Sequence, residues 1–543
     1  MSSATRLLKA SGRFALRTVK RITADAKRST RKFVADTAKS LDRGARPGLR
    51  YVHPAGSPYV AADNAMRNLD TIAQKLAAAD IEWVQLPQLS RLRPRIVVDS
   101  VHTPKVIEIV EELQAREGWR RRLVDLNNRS VTTRAARKIR LGAVAAGRAY
   151  FSSGGTEVST HAEQVTIEFW ERVGEDEPRA DGTTYVPGTL RRGIQARGLL
   201  VEYLTPGQWH EAVADGNKVQ LNYPHLFDVI DPIDVVYTWV DDDDPDWQKR
   251  KADAHGELDL KSINETAINA SRFNNREELR YSLRSLEMYA DWVNHIYIVT
   301  DRQVPEWLNV DNPKITVVDH SEIFADTSAL PVFNSHAIES QLHHIPGLSD
   351  KYVYMNDDIV FLRPTNPSLF FYGNGNSKFF KSTAPLDLAP PSARDLPVLS
   401  AAKHNRELIE QTFGRTITNK LKHTPHPQQK SVLERLEAEH PEIFRKVSHS
   451  TFRHPDDLSI TSALHHWYAY GLGKAAPAGI RYGYVNLASE TAEKRLDSFS
   501  RSRTYDVLCV NETETTPERA AEIDVFLAEF FHKRFPFKSS FEK

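Results

Sequence analysis

Two adjacent carboxylates, Asp357 and Asp358, interrupt the apolar run KYVYMNDDIVF (Lys351–Phe361). Burying such a pair is costly without a compensating charge. Neighbouring carboxylates at a strand end hold a hard divalent cation against a diphosphate, although an acidic turn joining two strands has the same sequence appearance. Upstream, His336, Glu339 and His343 in NSHAIESQLHH recur at spacings of three and four, which places them on one face of a helix. The spacing is not HExxH, so a zinc-protease site is not implied. KHTPHP offers His423 and His426, and FRHPDD offers Arg453, His454, Asp456 and Asp457. Arginine suits phosphate through its planar, permanently charged fork, and histidine passes protons near neutral pH. A fourth group is the run VVYTWVDDDDPDW (Val235–Trp247), four aspartates directly after a β-branched segment.

Acids for a metal, Arg453 and Arg280 for phosphate, and histidines for proton transfer make up the equipment of phosphoryl transfer. That chemistry needs positioning and charge neutralisation more than a covalent nucleophile. The chain contains no GxxxxGK[ST], kinase glycine-rich loop or GxSxG, which sets those classes aside.

These residues need a scaffold, and its periodicities are legible. IDVVYTWV reads as a buried strand ending in the aspartate run, REELRYSLRSLEMY (Arg276–Tyr289) as a helix with Leu279, Leu283 and Leu286 inward. His295–Asp301, Lys314–His320 and Lys351–Phe361 read as further strands. Short apolar strands alternating with helices predict an α/β fold with a mostly parallel central sheet and flanking helices. In such sheets ligands sit beyond the carboxyl ends of the strands, where residues 241–244, 301, 319–320 and 357–358 would converge. Residues 362–421, rich in Pro, Asn and Ser, read as a looser insertion. Residues 59–225 mix helix (64–80, 106–117) with strand (95–99, 165–172) and form an accessory α+β region with no compact chemical motif.

At 543 residues two to four units are expected, and a net charge of +1 with 26% charged residues excludes a nucleic-acid binder or an acidic solvating chain. The single cysteine, Cys509, rules out an intrachain disulfide and points weakly to a reducing, cytoplasmic setting. There is no apolar run of about 18 residues to span a membrane. Residues 1–45 form a basic arm: within 1–34, Arg6, Lys9, Arg13, Arg17 and Lys20 fall on one helical face and Ala4, Leu8, Ala15, Val19, Ile22 and Ala26 on the other. This suits peripheral attachment to an anionic membrane surface, and equally a solvated basic tail.

Taken in order, IDVVYTWVDDDDP, SRFNNREELRYSLRSLE, LPVFNSHAIESQLHHIPGLSDKYVYMNDDIVF, KHTPHP with FRHPDD, and CVNETE with FPFKSSFE resemble the four conserved regions of the Stealth family. Its members are bacterial capsule and exopolysaccharide sugar-1-phosphate transferases, similar to the animal N-acetylglucosamine-1-phosphotransferase. The resemblance spans residues 231–543. It implies a GT-A-like fold and transfer of a hexose-1-phosphate from a nucleotide diphosphate sugar, UDP-linked, to a sugar hydroxyl of a polysaccharide or glycan acceptor. UMP would leave and a phosphodiester would form, with Mg²⁺ or Mn²⁺ as cofactor. By the same resemblance Asp241, Glu339, Asp358, His423 and Arg453 are the catalytic candidates. Asp234, Asp244, Asn274, Asn275, Arg280, His454 and Asn511 are substrate-binding candidates, and Asp357 and Asp358 the metal ligands. The proton acceptor is left open between His423 and an acid of the first region. Asp242 stands where the family usually has glycine and Glu512 where it has aspartate; Asp242 and Asp243 read as solvated turn residues. Two other readings survive on sequence grounds: a GT-A glycosyltransferase releasing UDP, and a non-catalytic carbohydrate-binding or scaffolding protein.

Overall fold

The structure, a computed structural model, describes residues 51–195, 200–256, 275–392, 394–512 and 515–543. The basic arm and Asn274 lie outside the described residues. No helix among the described residues is long and apolar enough to cross a membrane.

The unit that carries the site is α/β with mixed sheets. Its main sheet contains β1 (Ile233–Thr238), β2 (Ile296–Thr300), β3 (Ile315–Asp319), β4 (Lys351–Asn356) and β6 (His426–Gln429), in the order β3-β2-β1-β4-β6. The first three pairings are parallel and β6 joins β4 antiparallel. β1 and β4 are buried on both faces, the condition that lets a run such as VVYTWV or KYVYM be apolar throughout. The chain leaves β1 towards β2 and β3 on one side and returns to β4 on the other. The carboxyl ends of β1 and β4 therefore form the topological switch point of the sheet, the crevice where open α/β sheets bind ligands.

Sequence periodicity suggests one strand over 351–361; the structure divides it. After Asn356 the chain turns at Asp357-Asp358 and continues as β5 (Ile359–Phe361), which enters a second sheet of three strands with β7 (Tyr482–Asn486) and β8 (Val507–Asn511). β5 pairs with β8 on one side. On the other, helix α2 (Glu278–Tyr289) satisfies it through serines: Ser282 Oγ donates to the Ile359 carbonyl at 2.5 Å and the Phe361 N–H donates to Ser285 Oγ at 2.9 Å. Small hydroxyl side chains at 282 and 285, between Leu279, Leu283 and Leu286, let the helix sit close enough to serve as a sheet partner. α2 begins two residues later than Arg276, after Glu277 in a left-handed conformation (φ 63°).

Two further expectations are corrected. His336, Glu339 and His343 do not share a helical face, because α3 (Ser335–Glu339) stops at Glu339 and a separate turn carries Leu342–His344. Nor is 362–421 loose: among the described residues it contains three short strands and the 17-residue helix α4 (Pro397–Phe413), whose Ala401, Leu408 and Ile409 are buried in the core. Proline at the first position of α4 and Gly414 (φ 62°) at its end are ordinary start and stop signals. The Pro- and Ser-rich approach to the helix masked them in composition.

The accessory region is an eight-stranded mixed sheet, with Ala61–Ala78 and Thr103–Glu117 covering one face. It is seated on the unit that carries the site by the Tyr59–Phe537 ring stack, Ser90 Oγ donating to Asn366 at 2.6 Å, and Arg503 donating to the Glu157 carbonyl at 2.7 Å.

The C-terminal tail, rich in aromatics, docks through α5 (Pro517–Arg534) and the residues after it. Glu542 is buried and held by Arg284 at 2.8 Å through both of its oxygens and by Arg280 at 2.6 Å. Burial opposes its ionisation, but Arg284, the Ser539 amide and Arg280 outweigh burial and bring its pKa down to about 2. Against an ordinary 4.5 this is worth roughly 3 kcal/mol of stability at neutral pH. A depressed carboxyl contributes stability above its unfolded pKa and loses it as pH falls through the folded value. Glu542→Gln should therefore cost on the order of 3 kcal/mol in urea unfolding at pH 7, with the difference from wild type shrinking between pH 4.5 and 2. A constant difference across that window would remove the ion-pair explanation.

Candidate functional site

The turn Asp357-Asp358 lies at the switch point, between the carboxyl end of β4 and the start of β5. Asp358 is anchored by its backbone carbonyl, which accepts the Val510 amide at 3.0 Å, and by its side chain, whose Oδ2 accepts the Cys509 thiol at 3.3 Å. The register that pairs Ile359 with Cys509 sets this contact. Among the described residues its other oxygen is buried without a hydrogen-bond partner, and His423 Nε2 lies 3.7 Å away. Burial raises the pKa of Asp358, but His423, Cys509 and Asn511 more than offset it, so the carboxylate lies below its usual range. His423, on the segment entering β6, is driven the other way. Burial would lower its pKa and Arg453 adds to that; Asp358 and Glu339 prevail and the imidazolium is favoured above pH 6.5.

Asp357 has no such support. Burial and the neighbouring Asp358 charge push its pKa up to about 7. Glu278, at the first turn of α2, is raised to about 8 by burial and by Asp357, although it accepts the Arg276 amide at 2.6 Å. Tyr237 and Tyr354 lie in the same environment, each shifted upward first by burial and in part by the Asp357 charge. The carboxyl ends of β1 and β4 thus hold negative charge that protein groups compensate only in part. With Asp358 offering an unpartnered buried oxygen, the donor set is oxygen-rich and fits a hard divalent cation at Asp357 and Asp358. Asp358, His423 and Cys509 also lie close enough together to ligate an ion. Their protonation argues otherwise: burial and then Asp358 hold the Cys509 thiol well above its usual range, so it donates to Asp358, and His423 is shifted towards the charged form that pairs with the same carboxylate.

Glu339 occupies the facing wall. Asn334 caps α3, accepting the His336 amide, while its side-chain amide donates to Asp457 at 2.8 Å and to the carbonyls of Ser450 and Phe452. This clamp brings the FRHPDD loop onto the start of α3, where Arg453 Nη2 donates to Ser335 Oγ at 2.8 Å. Glu339 ends the helix and accepts Ser462 Oγ at 2.5 Å, with Tyr354 O–H at 3.4 Å. Thr461 donates to its carbonyl at 2.6 Å. Thr461 and Ser462 belong to a π-helical turn, Ile460–Leu464, a distortion common at functional sites. Arg453 is lowered by burial and sustained by Glu339 and Asp457. Asp358, His423, Glu339 and Arg453 are accordingly a run of alternating charge in mutual electrostatic reach.

Other expected residues fall elsewhere. Asp234 is at the opposite, amino end of β1, buried and accepting Asn294 Nδ2 at 2.8 Å and the Ser349 amide at 2.7 Å; it joins neighbouring segments and is removed from the switch point. Arg280 belongs to the Glu542 clamp. Asp244 caps α1 (Pro245–Gly256), accepting the Asp246 amide at 2.9 Å and Gln303 Nε2 at 2.9 Å. Asp241 follows β1 at the correct edge and is tied to Gln303, without direct contact to Asp358 or Glu339. Asp243 is exposed, as a solvated turn residue is expected to be, but Asp242 is half-buried and accepts the Asn275 amide at 3.2 Å. The departure from glycine at 242 thus supplies a tether for Asn275. His454 folds over its own loop, with the Asp456 amide donating to Nδ1 at 3.2 Å. Asn511 accepts Tyr484 O–H at 3.0 Å and adjoins Asp358. Glu512 pairs with Arg276. Asp301 and Asp319 share the carboxyl edge but are taken up by Arg250 and by a helix cap. Glu278, Cys509, Ser462 and Tyr484 join the site without having been singled out for it. Glu278 and Cys509 were visible only as members of the motifs, since nothing in spacing alone ties them to residues 357–358.

Asp358→Asn should lower the His423 pKa from above 6.5 to below it, because burial and Arg453 would then face Glu339 alone. Ring ¹³C NMR of histidine-labelled protein measures this, and an unshifted His423 would break the pairing.

Models of the Stealth protein conserved regions 1, 2, 3 and 4 match residues 231–259, 272–379, 422–470 and 497–543. Among curated proteins, the exopolysaccharide phosphotransferase SCO6023 of Streptomyces coelicolor is 46% identical over 316 residues, 58% of this chain and 53% of that protein. SCO2592 of the same organism is 36% identical over 494 residues, 88% of this chain and 51% of its own length. SCO6021 is 37% identical, covering 70% of this chain and 71% of the relative. The chain spans about half the length of the first of these relatives. The match to SCO2592 exceeds the stretch from Asp231 to the C-terminus, so likeness to this relative extends into the accessory region beyond the four motif blocks. Among solved structures, galactosyltransferase LgtC with donor and acceptor sugar analogs aligns at 12% identity over 56% of this chain and 96% of LgtC, TM-score 0.29. Mouse xyloside xylosyltransferase 1 aligns at 9% identity over 52% of this chain and 98% of that one, TM-score 0.27.

Proposed function

Because the chain belongs to the Stealth family of exopolysaccharide and capsule phosphotransferases, we propose that it transfers a hexose-1-phosphate from a nucleotide diphosphate sugar to a sugar hydroxyl of a cell-surface polysaccharide. The observation that supports this most directly is the arrangement at the switch point, where the oxygen-donor pair Asp357 and Asp358 adjoins two cations, His423 at 3.7 Å from Asp358 and Arg453 in electrostatic reach of His423. A diphosphate between them would have its charge neutralised from both sides. The fold is read as GT-A-like, with UDP as the nucleotide.

In this reading the acceptor oxygen attacks the β-phosphorus, the bond from that phosphorus to the bridging oxygen breaks, and UMP leaves with the bridging oxygen. Asp357 and Asp358 would hold Mg²⁺ or Mn²⁺, which supplies charge neutralisation to the diphosphate. Arg453, oriented by Ser335 and flanked by Glu339, binds non-bridging oxygens. His423, shifted towards the imidazolium by Asp358, donates to phosphoryl oxygen, a role that competes with taking up the hydroxyl proton. That proton falls to a carboxyl group outside the metal pair, and Glu278, raised to about 8, is the one shifted towards working pH. Glu339 orients the cations from behind, its own oxygens committed to Ser462 and Tyr354.

Incubation with a panel of UDP-sugars, an oligosaccharide acceptor and Mg²⁺ should yield UMP and a ³¹P phosphodiester resonance. UDP with a plain glycosidic product would replace this reading by a glycosyltransferase. Asp358→Asn and His423→Ala should each reduce turnover by about 10²-fold or more, within the range for removing a charge-stabilising group. Undiminished turnover would leave only a carbohydrate-binding scaffold. Metal loading has its own readout. Since Asp357, raised to about 7, must lose its proton to accept a cation, Mg²⁺ should raise the melting temperature more at pH 8 than at pH 6, and Asp357→Asn should abolish the increment. A pH-independent increment in wild type would argue against Asp357 as a ligand.

A further inference from the structure

The face of the accessory sheet turned away from Ala61–Ala78 and Thr103–Glu117 is covered in part by the helix Pro206–Ala214, which packs on Val97 and Trp170, and beside that cover it carries a band of arginines that nothing in the proposed transfer uses. The pairing register defines it. Arg95 lies opposite Thr166, Thr166 opposite Ala145, and Ala145 opposite Arg122, a single row across four strands whose side chains share one face. Two small residues thus separate two arginines whose backbones stand about 14 Å apart, three strand spacings. Arg93 precedes Arg95 in a left-handed turn (φ 56°), and Arg120, opposite Gly147, continues the band along Arg122's strand.

Acidic compensation on this face is sparse. Glu168 is buried and shared, bonding Arg95 at 2.7 Å and Arg192 at 2.6 Å, while Glu157 takes Arg120 at 3.2 Å. Arg93 and Arg122 have no carboxylate partner among the described residues; the charges that Arg93 feels are Arg363 and Arg95, and those that Arg122 feels are Arg93 and Arg95. Arg122 reaches only Ser130 Oγ, at 3.5 Å. Arg192 is 3% exposed, yet its Nε and Nη1 are buried with no acceptor among the described residues. Buried guanidinium donors are ordinarily satisfied, so orphaned ones beside two unpaired arginines mark a place short of anionic acceptors. The band also adjoins the catalytic unit, because Arg363, bound to Asp506 at the base of β8, lies five residues beyond Asp358.

We propose that this face is an acceptor subsite that holds a phosphodiester of the growing polysaccharide, with Arg93 and Arg122 on the anion and Arg95 and Arg192 behind them. The choice of a phosphodiester rests on the transferase reading, in which every transfer adds one anionic linkage to the polymer. Guanidinium forks match the two non-bridging oxygens of such a linkage. A chain already extended would then be retained in preference to a neutral primer, and the accessory region would select acceptors by the product of the previous turnover.

The probe is phosphomannan, a phosphodiester-bearing glycan, with neutral mannan as its control, titrated against the full chain by calorimetry at about 50 and about 200 mM salt. Wild type should bind phosphomannan tightly with marked salt dependence and mannan weakly. Arg93→Ala/Arg122→Ala should weaken phosphomannan by about tenfold or more. Arg134→Ala, an exposed arginine of the same region, should leave it unchanged. Arg93→Lys/Arg122→Lys, which keeps the charge and loses the fork, should fall between, and separates anion binding from collapse of the region. Equal binding of mannan, an unaffected double alanine variant, or equal loss in Arg134→Ala would each overturn the subsite. Tight competition by a single-stranded oligonucleotide would also overturn it, as a surface for any polyanion. The titration needs no donor sugar, so its outcome is separable from whether UMP is released.

Discussion

Two adjacent carboxylates at the point where one strand becomes another set the terms for this protein. The Asp357-Asp358 turn moves the chain from a buried, mostly parallel sheet into a small second sheet, and it does so at the carboxyl edge beside β1. Adjacent side chains on such a turn diverge, so the two acids meet different surroundings. Asp358 falls against β8 and gains a thiol, an amide and a histidine; Asp357 falls against tyrosines and Glu278 and gains repulsion. The turn thus keeps one carboxylate ionised and leaves its neighbour uncompensated, an asymmetry on which the proposed cation and phosphate binding rests.

The second sheet exists to support that asymmetry. β5 is only three residues long and would be marginal as a free-standing strand. β8 on one side and the Ser282 and Ser285 hydroxyls on the other satisfy its backbone groups, and this fixes Asp358 against Cys509 and Asn511. α2 in turn is held at its exposed flank by the arginine pair on Glu542, so the end of the chain bears indirectly on the catalytic edge. Arg280, which sequence places beside a phosphate, serves this mechanical purpose. Its proximity to the motif in sequence misleads because a helix points residues one turn apart to different neighbours.

Legibility followed locality. The strands at 95–99 and 165–172 have the boundaries their alternation implies, and α2 begins only two residues from its expected start, because these elements are dictated by short-range pattern. The four-residue constellation of Asp358, His423, Glu339 and Arg453 was accessible only through family resemblance. Its members come from four separate segments, and nothing in their spacing shows that the clamp of Asn334 on Asp457 joins two of them. Acid runs were the least informative. Asp244 and Asp319 are caps, Asp234 is a buried anchor and Asp242 a tether, because short acidic side chains satisfy backbone amides at strand and helix ends as readily as they bind ligands.

The same reasoning distinguishes the arginines. Arg453 is useful at the site because Glu339 and Asp457 keep it charged under burial while leaving part of the fork for a ligand. Arg276, Arg280 and Arg284 are spent on acids of the tail, and their charge is cancelled within the fold. Arg93 and Arg122 are in neither condition. A chain that pairs so many of its arginines, and whose net charge is only +1, has concentrated uncancelled guanidinium in one row of a sheet, over Thr166 and Ala145. Val97 and Val124 in the next row on this face are packed under Trp209 and Ile194, whereas the small residues between Arg95 and Arg122 give little apolar return for the cations beside them, and electrostatic use of that row is the physical reason for its composition.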